Sequence, residues 1–229
     1  MHIKYAGTLT GFKVEMDHLK ETITVVLTAG NSLPFDMVGG ATIVSKYDNY
    51  LIMEGNYQTA RFQMLVHSQN KKGLHAELRK KCWEIAKFLR IKYKDNTKKL
   101  GEWGITLIYG KKGVVKISGK QTDVRILSEK ILAKHDSLGA ASILTTLDMA
   151  GLQTTVDALV FEQDAYVTQK LIWRPLSAPR EELTKELKDM QHLIAQELLS
   201  DPSFNPRDLE HWGYTVIASI PEHEVAIAA

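Results

Sequence analysis

The sequence predicts a mainly α protein: two tandem three-helix bundle modules with a minor β element, short strands after a Trp-Gly turn in each. Two observations carry this. The stretch Asn96-Thr97-Lys98-Lys99-Leu100-Gly101-Glu102-Trp103-Gly104-Ile105-Thr106-Leu107 recurs as Asn205-Pro206-Arg207-Asp208-Leu209-Glu210-His211-Trp212-Gly213-Tyr214-Thr215-Val216, 109 residues later. The same offset aligns the apolar stripe before each copy, Leu74, Leu78, Ile85 and Leu89 with Leu183, Leu187, Ile194 and Leu198. A fixed internal offset is the mark of a duplication. The modules are expected at 1–118 and 119–229.

Residues 2 to 12 alternate and are rich in Thr and Gly, which reads as a strand and a turn. Residues 13 to 28 carry Val14, Leu19, Ile23, Val26 and Leu27 at helical spacing. Gly30 then signals a C-terminal cap, with Pro34 beyond it. A second helix is expected from about 36 to 68, its start delayed by Gly39 and Gly40. A tight turn is expected at 70 to 73. Residues 74 to 93 form the clearest helix, with Leu74, Leu78, Cys82, Ile85, Phe88 and Leu89 opposite Lys72, Arg79, Lys80 and Lys87.

Leu100, Trp103 and Gly104 close the first module, and Gly104 is expected at a positive φ. A strand at 105–109, a hairpin tip at Gly110-Lys111-Lys112-Gly113 and a returning strand at 114–118 follow. The second module repeats the order. Helices are expected at 123–135, at 144–173 with Gly151 inside or before it, and at 180–199. Pro175 and Pro179 mark a loop between the last two. Leu209, Trp212 and Gly213 lead into a strand at 214–220, and the tail from Pro221 is expected to fray.

Three features together resemble a helical-hairpin module known from uncharacterised bacterial proteins of the Bacteroidetes type and their phages. They are the helix end at Thr28, Gly30, Asn31 and Pro34, the long helical hairpin, and the Leu-x-x-aromatic-Gly turn. The resemblance covers each half once. Some members carry a fibronectin type III-like domain, which is absent here. The second copy has Lys134-His135-Asp136-Ser137 in place of the Gly-Asn turn. The resemblance implies a binding or scaffold role and supplies no catalytic residues.

Composition bounds the rest. The chain has 229 residues, 44% hydrophobic and 24% charged, with net charge +2. This is ordinary for a globular protein. The single cysteine, Cys82, excludes an internal disulfide and favours a reducing compartment. No signal peptide or membrane span is expected, which places the protein in the cytoplasm or in a particle assembled there.

No catalytic, cofactor or metal site is predicted. No two of the eight histidines stand at i, i+4 with an acidic partner. His211 with Glu222, His223 and Glu224 reads as a solvated terminus before a surface metal site. Cys82 lies on a buried stripe, and its counterpart is Gln191, so a core role outweighs a nucleophile. Glu181 with Glu182, and Glu186 with Asp189, read as a solvated helix face. Gly110 to Gly113 lacks the ending of a phosphate loop.

Charge is distributed unevenly. Residues 68–120 hold 15 Lys and Arg against 4 Asp and Glu, and residues 178–229 hold 4 against 10. Three readings follow. Both faces are solvated. Or the basic and acidic faces pair, within the chain or between chains as rings or filaments. Or nucleic acid binds a basic face of Lys71, Lys72, Arg79, Lys80, Lys98, Lys99, Lys111 and Lys112. The leading expectation is a non-enzymatic structural protein of a larger assembly, such as a phage particle or a contractile or injection machine. Its partners are then other protein subunits or further copies of itself. The alternative is a cytoplasmic nucleic-acid-binding protein.

Overall fold

The computed structural model describes residues 2–4, 8–94, 96, 98–108 and 114–217. The expected hairpin tip, with Lys111 and Lys112, and the tail from Pro221 lie outside the described residues. The chain is mainly helical. Its order is β1 (His2–Lys4), α1 (Leu9–Thr28), α2 (Gly40–Lys92), α3 (Lys98–Glu102), β2 (Thr106–Ile108), β3 (Val114–Lys116), α4 (Gln121–Leu138), α5 (Met149–Trp173), α6 (Ser177–Ser200) and β4 (Thr215–Ile217). A 3-10 helix, Pro206–Trp212, precedes β4.

Two compact units form, and they do not follow the sequence copies at 1–118 and 119–229. One contains Met1–Gln58 with Pro175–Ala229, the other Thr59–Arg174. The first unit packs Phe12, Met16, Leu19 and Ile23 of α1 against Ile43, Tyr47 and Tyr50 of α2. Leu187, Ile194, Ala195 and Leu198 of α6 complete that core, with Leu209, Trp212 and Tyr214 at its end. β1 pairs antiparallel with β4, His2 opposite Ile217. The second unit packs Leu78, Cys82, Ile85 and Leu89 of α2 against Val124 and Ile131 of α4 and Leu152, Val156 and Leu159 of α5. β2 pairs antiparallel with β3, Thr106 opposite Lys116.

Each unit is therefore three helices, a Trp-Gly turn and a two-stranded sheet. The third helix, the turn and the strand that follows it are supplied by the other copy. The reason lies at residues 70 to 73, where a turn was expected. α2 runs straight through as a helix of 53 residues. Gly73 costs a helix about 1 kcal/mol relative to Ala, too little to break it. Contacts to α5 hold the segment helical: Asn70 Nδ2 donates to Glu162 Oε1 at 3.1 Å, and Lys71 Nζ lies 4.1 Å from the centre of the Tyr166 ring.

Pro175 and Pro179 make no loop either. Arg174–Leu176 is a 3-10 turn, and α6 starts directly at Ser177. Pro179 stands in the first turn of α6, where a backbone N–H has no intrahelical acceptor. At the N-terminus, the expected strand and turn over residues 2–12 give way to helix from Leu9. Thr8 caps it, its Oγ1 accepting from Gly11 N at 3.2 Å. α5 begins at Met149, not at 144. Asp148 caps it through Gly151 N at 2.8 Å. A Cβ on Gly40 would stand 2.3 Å from Leu33 Cδ1 and 2.9 Å from Ile23 Cγ2, so α2 approaches α1 closely where it starts.

Among the described residues, no helix is long and apolar enough to cross a membrane.

Candidate interaction face

The two Trp-Gly turns have the same local build. Ile105 N donates to Leu100 O at 3.1 Å, and Tyr214 N to Leu209 O at 3.2 Å. These bonds span five residues around a left-handed glycine, with φ +77° at Gly104 and +84° at Gly213. Leu100, Trp103, Leu209 and Trp212 are all buried. Each turn thus anchors an indole in a core and redirects the chain into a strand. Phe35 meets Trp212 edge to face, with ring centres 5.5 Å apart. These residues hold the fold, and their glycines set the approach of neighbouring helices. A Cβ on Gly213 would lie 2.7 Å from Glu15 O of α1, and one on Gly104 3.0 Å from Lys130 Cδ of α4.

The basic residues divide. On α2, burying Leu78, Cys82, Ile85 and Leu89 turns Lys72, Arg79, Lys80 and Lys87 to solvent on the opposite side. Trp83 stands among them, 39% exposed. Ala76, Arg79, Lys80 and Trp83 line a shallow open depression of about 360 Å³. The face therefore offers an indole edge flanked by cations, suited to a partner that is acidic and partly apolar. Among the described residues, Lys72, Arg79, Lys80 and Lys87 form no ion pair. Lys81 does, with Glu77 at 3.5 Å and Asp148 at 3.8 Å.

Lys71 does not belong to this face. It lies one residue, about 100° of helix, from Lys72 and turns to Tyr166. Lys98 and Lys99 are exposed on the short α3, with Lys99 Nζ 5.5 Å from the Tyr93 ring centre.

Charge also sorts by compact unit. Residues 59–174 contain 21 Lys and Arg against 11 Asp and Glu, a net +10. The remaining residues contain 8 against 16, a net −8. The two sum to the +2 of the whole chain.

The other titratable groups hold structure. Glu186 pairs with Lys46 at 2.6 Å, and Glu181 accepts from Ser177 Oγ at 3.0 Å. Cys82 is fully buried, its Sγ 3.1 Å from Ser128 Oγ, and burial pushes its thiol up, away from the reactive thiolate. Its counterpart Gln191 is also buried, donating to Glu15 Oε2 at 3.1 Å. Burial also raises Tyr47, whose hydroxyl donates to Asp17 at 2.7 Å. Among the described residues, no group of three or more His, Cys, Asp or Glu is placed to hold a metal.

Comparison with family models, curated proteins and solved structures finds no match to this chain.

The most buried ion pair between helices among the described residues escaped sequence reasoning. Arg180 Nε lies 2.6 Å from Glu54 Oε2, and its guanidinium stacks 4.3 Å from the Tyr57 ring centre. The loop expected at Pro175 and Pro179 hid it, because it placed Arg180 at a helix end.

Proposed function

We propose that this protein is a non-enzymatic structural component of a larger assembly, joined to its neighbours through oppositely charged compact units. The observation that carries this is the charge sorting, net +10 against −8 in one chain of net +2. Such polarity steers the basic unit of one copy toward the acidic unit of the next. Repeated head to tail, that contact is heterologous and builds rings or filaments. The tandem duplication supports the same reading. A phage particle or a contractile or injection machine assembled in the cytoplasm is the setting it suits.

The test is the mass of the purified protein in solution across concentration, at low and high salt. Polymers or discrete rings that grow with concentration and dissociate with salt are the expected result. A mass independent of salt and concentration would refute it.

Exposed Arg79 and Lys80 beside Trp83, in no ion pair among the described residues, favour a second reading, nonspecific nucleic-acid binding. Titration with duplex DNA and single-stranded RNA decides it. Affinity should fall steeply with salt if this reading is right, and neither nucleic acid should bind if the first is complete.

A further inference from the structure

In the unit of residues 59–174, the buried core starts at Leu78 on α2 and reaches only to Leu159 on α5. Residues 59–73 and 160–173 pair with each other outside that core. The pairing runs along one line, through Gln169 to Ala60 O, and through His67 and Asn70 to Glu162. A layer two helices thick buries one stripe per helix and leaves its broad faces open.

One of those faces is apolar. Val66 immediately precedes His67, and Phe161 immediately precedes Glu162. His67 Nδ1 and Glu162 Oε2 meet at 2.7 Å across the pair. Two antiparallel helices are related by a local twofold normal to their plane. Residues one step before the contact on each helix therefore share a face. Phe62 stands four residues before Val66, and Ile172 eleven residues after Phe161, which keeps both on that face. Phe62 is 67% exposed, Phe161 68%, Ile172 51% and Val66 36%.

We propose that this face binds the same face of a second copy, giving a four-helix layer around a twofold axis. This deepens the self-association reading, on which it rests, by naming a contact of different physics. The four side chains present on the order of 400 Å² of apolar surface, close to the apolar share of the roughly 800 Å² that each partner commits to a specific interface. Of the neighbouring positions, Gln63 and Thr168 are polar and uncharged, while the exposed carboxylates Asp157 and Asp164 flank Phe161 at i−4 and i+3. A twofold contact sets each apolar patch against its own copy, with those carboxylates at its rim and in solvent. Carboxylates at the rim also repel the phosphates of a nucleic acid.

The experiment is the solution mass of the whole protein at about 1 M salt, where charge contacts are screened beyond about 3 Å. A dimer at tens of micromolar is expected. Phe62→Asp with Phe161→Asp should return it to monomer while circular dichroism and the thermal midpoint stay unchanged. If that variant unfolds, Val66→Gln with Ile172→Gln should still weaken the dimer at least tenfold. A wild-type monomer at high salt overturns the proposal, whether it remains free or floats with neutral phosphatidylcholine vesicles. So does a dimer that survives the substitutions. Assembly seen only at low salt would keep the charge reading and sink this one. A salt-resistant dimer that never grows at low salt would do the reverse.

Discussion

Glu54 and Arg180 form an ion pair 2.6 Å long with side chains only 7% and 15% exposed, and Tyr57 stacks on the guanidinium. Desolvating both charges offsets much of their attraction, so the pair specifies how α2 and α6 register more than it stabilises them. Removing one partner is another matter. Arg180→Ala leaves a carboxylate buried without its cation and should cost about 3 kcal/mol in urea denaturation. Glu54→Leu with Arg180→Met should recover most of that loss. Equal stability of Arg180→Ala and wild type would mean the pair is solvated.

The two Trp-Gly turns should respond unequally to a methyl group. Gly213→Ala meets both a positive φ and the backbone oxygen of Glu15, and should cost about 2 kcal/mol or more. Gly104→Ala meets the same φ but only the flexible end of Lys130, and should cost about 1 kcal/mol. Thermal midpoints of the two variants give the order directly, and a reversed order contradicts the packing.

Gly73→Ala reports on the continuity of α2. Its φ is not left-handed, and a Cβ there meets nothing within 4 Å. In a continuous helix the substitution should stabilise the protein by about 0.5 to 1 kcal/mol. A loss of stability would instead indicate a turn at 70 to 73.

Acid should loosen the unit that holds Glu162. The hydrogen bond from His67 holds its carboxyl below the ordinary value, and a second bond from Asn70 works the same way. A carboxyl lowered in the folded state contributes stability above its unfolded pKa. That contribution is lost as pH falls through the folded value. Stability measured from pH 6 downward should therefore drop below about pH 4.5, the unfolded value, and Glu162→Gln should flatten that limb.

Reversing charge on the α2 face tests the assembly contact without touching the core. Arg79→Glu with Lys80→Glu and Lys87→Glu should abolish salt-sensitive association and leave the thermal midpoint within a degree or two, since these side chains are exposed. Undiminished association at low salt would place the contact elsewhere.

Much of each unit is legible in the sequence because burial follows helical period. Leu78, Cys82, Ile85 and Leu89 are buried, as are Leu187, Gln191, Ile194 and Leu198, their partners at the offset of 109. Gly104 and Gly213 announce their left-handed conformation because no other residue adopts it cheaply. Lys72, Arg79 and Lys80 follow from being opposite the apolar stripe. The exchange of third helices was not legible. Whether a helix turns at residue 73 is decided by Glu162 and Tyr166, nearly a hundred residues away, against a local preference of about 1 kcal/mol. Lys71 was misplaced for the same reason. Phe62 and Phe161 were hidden because the expected hairpin gave them a third helix to pack on.

The uninterrupted α2 also bears on the order in which the protein takes shape during synthesis. Residues 59–174 are one unbroken stretch and can close as soon as α5 leaves the ribosome. The other unit is built from both ends of the chain. Phe12, Met16 and Tyr47 appear first but find Leu187, Ile194 and Trp212 last. Domains usually mature in the order they are translated. Here the N-terminal helices wait with their apolar sides open until α6 and the turn at Trp212 have been made.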